Sequence, residues 1–229
     1  MNSKFKFCVF GILIFVSAVI ITVFSENCYG LPFEYDFVCL IFTFIEFSCI
    51  SIICKVNEDC LFCNEYKAIR YRKRTSIIKT EIIKRIFYII IFSIIHNAVV
   101  LIIKKLEIKE IVLMVVLNFL ELLFLILIQF YIEIKINSDM GFLLVLVMYI
   151  VLVFSGIMLY KCCQSNFNTI SNMLELINKF NIVNYSSFTR IKLLNCNINQ
   201  SVFVLLGVDV FTLIIILFGL RKSDILERG

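Results

Sequence analysis

The chain has 229 residues, 61% of them hydrophobic and 17% charged, and its mean hydropathy is +0.99. A soluble domain has about 45–50% apolar and about 25% charged residues, so this composition excludes an ordinary soluble fold and indicates a membrane protein. The net charge of +5 then describes loops at a membrane face and does not indicate a surface that binds nucleic acid.

Apolar runs rich in Phe, Ile and Leu predict an all-α fold, a polytopic bundle of transmembrane helices in a single integral membrane domain over residues 1–229. The ten-residue alternation of a membrane β-barrel is missing from the sequence. A short amphipathic helix is expected just before the last apolar run, because apolar residues recur there at helical spacing. We predict six spans, at about residues 5–24, 37–54, 82–103, 111–134, 141–160 and 202–220.

The first apolar run has two interpretations that stay open. It follows Lys4 and Lys6 and is long enough to be a retained span. A basic start before an apolar run also describes a secretory signal, here with a cut before Glu26. Either way, the chain emerges outside after this run.

The loop over residues 55–85 gives the orientation, because it holds nine Lys and Arg against four Asp and Glu. Basic loops stay on the cytoplasmic side. Alternating spans then place 15 of the 22 basic residues inside and 7 outside. We therefore predict a multi-pass protein of the plasma membrane with a cytoplasmic N-terminus, and with residues 161–200 outside.

Four polar residues inside the predicted spans are the candidate ligand-binding residues: Glu46, His96, Asn118 and Glu121. A charge at the centre of a span costs about 2.5–3.5 kcal/mol, so each needs a protein or water partner. Asn118 and Glu121 are three residues apart and share one helix face. Such residues either line a ligand cavity or ion path, or join helices by hydrogen bonds.

The last span carries Asp209 just after Gly207. Asp209 either faces a water-filled mouth or is the N-cap of a helix that begins there, since Asp is a preferred N-cap residue. Asn184 opens a glycosylation sequon, Asn-Tyr-Ser, that is usable if this region is extracellular. Cys60 and Cys63 lack the further ligands of a zinc site. Catalytic and cofactor motifs are also missing from the sequence, so we expect neither an enzyme nor a metal or cofactor.

Two stretches resemble insect gustatory-type chemoreceptors. The run NFLELLFLILIQFYIEIKIN, residues 118–137, is similar to their fourth span, in which an apolar helix leads into charges and an Asn. Residues 188–220 are similar to their C-terminal region, where a polar helix precedes a Gly, an Asp and the last span. The chain would be a divergent or shortened member without the long fourth loop and the fifth span. In that family the region before the last span is cytoplasmic, whereas the alternating spans put residues 161–200 outside. A re-entrant hairpin, a reversed C-terminal half or a non-functional product would account for the difference.

The resemblance implies a receptor for small molecules that is a subunit of a tetrameric, ligand-gated cation channel. Its implied partners are membrane lipids, a small-molecule ligand and further subunits, identical or different. Gly207, Asp209 and Thr212 would then line the pore or gate. Two alternatives are a structural or accessory membrane protein without a ligand, and a small transporter, for which broken helices would be expected.

Overall fold

A computed structural model describes residues 36–54, 74–104, 108–164 and 168–221. This part of the chain is all-helical, as predicted. The helices are α1 (Asp36–Cys54), α2 (Arg74–Lys104), α3 (Ile108–Lys135), α4 (Ser138–Gln164), α5 (Asn168–Lys179), a 3₁₀ turn (Ile182–Tyr185), α6 (Phe188–Leu193) and α7 (Ile198–Arg221).

Three helices are long and apolar enough to cross a membrane, over residues 108–135, 139–164 and 198–219. The chain is therefore a membrane protein. Helices α1 and α2 contain the predicted spans at 37–54 and 82–103, but a total of six spans stays a prediction. The expected first span, 5–24, lies outside the described residues.

Helix α3 is the centre of the bundle. It contacts the four other long helices, α1, α2, α4 and α7. Every residue from Leu120 to Leu127 is buried, whichever way its side chain points. A helix that is hydrophobic all round lies either in a protein core or in a membrane, and this stretch of α3 is enclosed by the other helices.

Helix α4 runs antiparallel to α3, and α7 runs parallel to it. Gly141, at the start of α4, lies so close to the end of α3 that an added methyl group would overlap Glu133 Cγ. On α7, Leu205 packs in the same cluster as Leu117. Gly219 lies fourteen residues after Leu205, and it contacts the ring of Tyr131, which lies fourteen residues after Leu117. The two helices therefore run in the same direction.

Helix α1 is also parallel to α3, because Glu46 meets Asn118 and Ser51 meets Gln129. Helix α2 is antiparallel to α3, as the chain direction requires. One end of the bundle therefore holds the C-termini of α1, α3 and α7 with the N-termini of α2 and α4. We call it the basic end, since α1 and α2 are joined there by the basic loop, and we call the opposite end the hairpin end.

Residues 168–197 form a re-entrant hairpin that enters from the hairpin end. The side chain of Asn181 donates to Leu152 O at 2.6 Å, and Leu152 lies about 18 Å along α4 from Gln164 at 1.5 Å per residue. The chain then returns towards the hairpin end, where Ile191 packs in the same cluster as Leu117 and Leu120. Helix α7 starts from there and crosses the whole bundle.

The predicted amphipathic helix is α5, the first arm of this hairpin. Its apolar side chains point away from the protein: Met173, Leu176 and Ile177 are exposed, as is Phe180 just beyond it. Asn178 on the opposite side is fully buried. This inverted arrangement suits a helix whose outer face meets lipid and whose inner face meets polar groups.

Candidate functional site

A group of polar side chains lies halfway between the two ends of the bundle, and we call it the central cluster. On α1 and α3, the side-chain amide of Asn118 donates to Glu46 Oε1 at 2.6 Å. Glu121, one turn further along α3, is close enough to Glu46 for the two carboxylates to repel. Both glutamates are buried, with 1% and 4% of their surface exposed. The shared helix face of Asn118 and Glu121, predicted from their spacing, therefore points at α1.

The re-entrant hairpin closes the central cluster from the other side. Arg190 on α6, Tyr149 on α4 and Ser186, just after the 3₁₀ turn, lie near Glu121. The Ser186 hydroxyl itself donates to Val183 O at 2.8 Å. Arg190 is fully buried. Because Glu121 lies at the midpoint of α3 and Tyr149 near that of α4, the hairpin places a guanidinium at the centre of the bundle.

Three asparagines hold Arg190 in place. The Arg190 Nη1 atom donates to Asn184 Oδ1 at 3.0 Å. The amide nitrogen of Asn184 donates in turn to Asn178 Oδ1 at 2.7 Å and to Asn178 O at 2.8 Å. Asn181 caps the 3₁₀ turn by accepting from Val183 N. The tip of the hairpin thus combines these hydrogen bonds with apolar packing of Val183, which lies in the hydrophobic core.

Gly156 lets α4 approach this network. A Cβ atom there would lie 2.8 Å from Asn184 Oδ1, 3.1 Å from Arg190 Nη1 and 3.2 Å from Asn181 Nδ2. Asn178 also donates to the Gly156 carbonyl at 3.3 Å. A side chain at position 156 would push the hairpin away from α4.

A second polar group, the basic-end cluster, ties α1, α2 and α3 together near the basic loop. Arg85 lies 3.7 Å from Glu133 Oε2 and donates to Glu81 Oε2 at 3.4 Å. Gln129 donates to Glu133 Oε1 at 2.7 Å and accepts from Ser51 Oγ, also at 2.7 Å. The cluster was not predicted, because its members lie on three helices that are far apart in the sequence. The acid-base pair Glu81 and Arg85, one turn apart, was the signal for a helix there.

The proposed pore or gate residues do not share one face of α7. Asp209 and Thr212 are buried on the side that carries Leu205, and Thr212 Oγ1 donates to Val208 O at 2.8 Å. Gly207 is exposed, and no atom lies within 4 Å of where its Cβ would be. The N-cap interpretation of Asp209 is wrong, because α7 begins at Ile198 and Asp209 lies near its midpoint. Within the described part of the chain, its carboxylate accepts no hydrogen bond.

The other two predicted site residues are packed side chains. His96 is buried in α2, and its ring stacks on Phe92 with the centroids 5.8 Å apart. Asn184, the proposed glycan acceptor, is 1% exposed, and its amide nitrogen is the atom that donates to Asn178. A glycan on that nitrogen would require the hairpin tip to open. Of the four candidate ligand residues, the structure brings Glu46, Asn118 and Glu121 together.

Among the described residues, His, Cys, Asp and Glu form no group of three that could hold a metal ion. Cys60 and Cys63 lie outside the described residues. The central cluster offers carboxylate, amide, phenol and guanidinium groups, which suit a proton, a small ion or a polar solute.

The chain matches the sequence model of one protein family. The family described as "Protein of unknown function (DUF2705)" matches residues 64–226, more than two thirds of the chain. The chain belongs to this family. The DUF2705 match takes in every helix from α2 to α7, with Glu121 and the whole hairpin, and leaves Glu46 outside it. No curated protein and no solved structure matches the chain. The resemblance to gustatory-type chemoreceptors stays a prediction.

Proposed function

We propose that this protein is the membrane-embedded subunit of a transporter for a small polar solute or ion, and that it is not an enzyme. The observation that carries the proposal is the re-entrant hairpin, whose tip reaches the middle of the bundle. Non-helical backbone at membrane depth is tolerated where it is buried in protein or lines a water-filled cavity. In transporters, such broken helices form the substrate site near the bilayer midplane.

The chemistry of the hairpin tip supports this assignment. A purely structural hairpin would be stable with apolar side chains facing α3 and α4. Here it places Arg190 near Glu121, and both are ionisable groups at a depth where such residues mark ion and substrate paths. Gly156 keeps α4 close to the same network.

The direction of access follows from charge. The predicted basic loop joins α1 to α2 at the basic end, which we assign to the cytoplasm by the excess of Lys and Arg. The hairpin then enters from the outside of the plasma membrane, as the alternating spans predict for residues 161–200. A solute would reach the central cluster from outside, along the hairpin. Assembly with further subunits, identical or different, is part of the proposal.

The test is the access of water to the hairpin tip. In a background with the ten native cysteines replaced, Ser186→Cys places a thiol beside Glu121. A membrane-impermeant, charged methanethiosulfonate reagent added outside intact cells should modify it. The matched control is Val151→Cys, which lies beside Leu152 at the same depth but is 58% exposed on the outer surface of α4; lipid there should protect it from modification.

Modification should also respond to the transported solute, because a solute at the cluster would shield the thiol. Protection by one member of a panel of ions, amino acids and sugars would name the substrate class, and flux of that solute into proteoliposomes would complete the assignment. An unreactive Ser186→Cys in a folded protein would support the structural or accessory alternative, in which the polar groups only join helices. A current evoked by a tastant in cells expressing the protein would instead support the receptor hypothesis.

A further inference from the structure

We propose that bound water fills the central slab, which is the layer of the bundle level with residues 118–125 of α3. The water would make one hydrated layer out of polar groups on all five long helices. The proposal deepens the proposed function, because it extends the water-filled site beyond the hairpin tip, and it rests on that function only for its role in transport. The water itself is a property of the folded protein and is tested without any flux.

The first observation is a set of buried oxygen atoms that make no hydrogen bond within the described part of the chain. Ser93 and Tyr149 are fully buried, and Asp209 is 3% exposed. Buried polar atoms in native proteins are nearly always bonded to protein or to ordered water, so these atoms need partners. The set is Ser48 Oγ on α1, Ser93 Oγ on α2, Asn118 Oδ1 and Glu121 Oε1 on α3, Tyr149 Oη on α4, and Asp209 Oδ1 and Oδ2 on α7.

The second observation is that these atoms lie at one depth, as the parallel helices α1 and α7 show first. On α7, Leu205 packs in the same cluster as Leu117. Asp209 lies four residues further along α7 and is therefore level with the residue four beyond Leu117 on α3. On α1, Ser48 lies two residues beyond the hydrogen bond that joins this helix to Asn118.

The antiparallel helices α2 and α4 give the same depth, because both are placed against Glu133. Arg85 lies 3.7 Å from the Oε2 atom of Glu133, and Gly141 packs against its Cγ atom. Ser93 follows Arg85 by eight residues, and Tyr149 follows Gly141 by eight, so both are level with the residue eight before Glu133. All of these oxygen atoms therefore lie within about 10 Å along α3, at 1.5 Å per residue.

The two serines of the set give a third observation. A serine or threonine hydroxyl inside a helix can donate to a carbonyl of the preceding turn. Ser155 and Thr212 do so here, at 3.0 Å and 2.8 Å. The buried hydroxyls of Ser48 and Ser93 do not make this bond. Such hydroxyls are left available for a partner inside the slab.

Water suits the whole set because it both donates and accepts hydrogen bonds. The carboxylate and amide oxygens can only accept, whereas the hydroxyls can do both. A buried water makes about three hydrogen bonds, so the oxygen atoms of the slab suit about two or three water molecules. A polar solute arriving along the hairpin would exchange these waters for its own hydrogen bonds, and the slab would admit it in that way.

The experiment is radiolytic labelling of the purified, unmutated full chain in lipid nanodiscs, with mass spectrometry as the readout. X-rays convert water to hydroxyl radicals, and a bound water labels the side chains beside it even where bulk solvent does not reach. The probes are Tyr149 and Phe92, which is the neighbour of Ser93 in α2. The matched control is Phe130 near the basic end, and all three side chains are fully buried. Tyr149 and Phe92 should be labelled about tenfold faster than Phe130, because water bound to polar groups lies beside them.

A variant ties the labelling to the slab. Ser93→Val removes the α2 hydroxyl and fills its volume, so labelling of Phe92 should fall several-fold while that of Tyr149 is kept. Thr212→Val is the matched control, because its hydroxyl bonds to its own helix, and it should leave both rates unchanged.

Two results would overturn the proposal. The first is a Phe92 that is labelled no faster than Phe130 in the unmutated chain. Water would then be confined to the hairpin tip, and another part of the chain or a further subunit would supply the partners. The second is labelling that falls when Na⁺ replaces N-methylglucamine, which would assign the oxygen atoms to a metal cation. Labelling as expected without solute flux would reject only the transporter assignment.

Discussion

The basic-end cluster and the central cluster contain the same kinds of side chain but differ in how their acids are balanced by cations. Each contains two glutamates and one arginine: Glu81 and Glu133 with Arg85 in the first, Glu46 and Glu121 with Arg190 in the second. At the basic end, Arg85 lies between both acids, and Lys84 adds a second cation at 2.7 Å from Glu81. At the centre, Arg190 lies near Glu121, Glu46 accepts from Asn118, and the described residues place no second Lys or Arg in an ion pair with either acid.

The difference shows which cluster is a structural tie and which is a site. The basic-end cluster is close to charge balance, and Gln129 and Ser51 supply further hydrogen bonds. It joins three helices by ion pairs and hydrogen bonds. The central cluster is more deeply buried. Within the described part of the chain it holds one arginine for two acids and keeps unpaired polar atoms. A network that is only partly satisfied costs stability, and natural proteins accept that cost at functional sites.

The largest effect should come from removing the arginine of each cluster. Arg190→Met should destabilise the protein by about 3–5 kcal/mol, because it leaves Glu121 without a cation and Asn184 without its donor. Arg85→Met should cost less, since Lys84 stays beside Glu81 and Gln129 still donates to the buried Glu133. Thermal unfolding of both variants in nanodiscs measures the difference. If the two variants lose the same stability, the two arginines contribute equally and the proposed difference between the clusters is wrong.

The described helices agree well with the sequence, and the reason is physical. Long apolar runs such as 111–134 have one stable state in a bilayer, so α3 and α4 lie where the runs predict them. The third predicted span, 82–103, lies inside α2, which begins earlier, at Arg74. Helical spacing alone placed Asn118 and Glu121 on one face.

The central cluster could be predicted only in part. The partners of Glu121 come from three other segments, and nothing local in the sequence marks Arg190 as its counter-ion. Residues 161–200 look like a polar loop because their Asn and Ser content is typical of loops. Their side chains instead form hydrogen bonds to each other and to α4. These bonds depend on the tertiary structure, which the local sequence does not show. The outward apolar face of α5 was visible as amphipathicity, but its direction was not.

A smaller effect should separate two glycines. Gly156→Ala should destabilise by about 1–3 kcal/mol, because the new methyl group overlaps the Asn184 and Arg190 side chains and overpacking is costly. Gly207→Ala is the matched control in another long helix, with open space around it. It should be neutral or slightly stabilising, since Ala favours helix more than Gly.

Two measurements compare the glycine variants: the Tm, and the rate at which the thiol of Ser186→Cys is modified in each background. A displaced hairpin should make the thiol in the Gly156→Ala background react faster. If Gly156→Ala is as stable as Gly207→Ala and leaves that reactivity unchanged, the hairpin does not pack against α4 as described.

A hydrogen bond at the basic end should make a modest contribution to the stability of the protein. Gln129→Leu removes the link between Ser51 and Glu133 and should cost about 1 kcal/mol, near the average measured for polar contacts between membrane helices. Thermal unfolding in nanodiscs measures this loss. An unchanged Tm would mean that the link through Gln129 does not help to join α1 to α3.

The smallest expected change is a gain. Asp209 lies at the midpoint of α7 with 3% of its surface exposed, and among the described residues its carboxylate has no hydrogen-bond donor. Asp209→Asn keeps the shape and removes the charge, so it should stabilise the protein by up to about 1 kcal/mol, seen as a higher Tm at pH 8. Thr212→Val, one turn away on the same face, is the control and should leave the Tm nearly unchanged, because its hydroxyl bonds only to its own helix. A clear loss of stability in Asp209→Asn would mean that the carboxylate has a cationic partner in the assembled protein, and the contrast between balanced and unbalanced acids would then extend to a subunit interface.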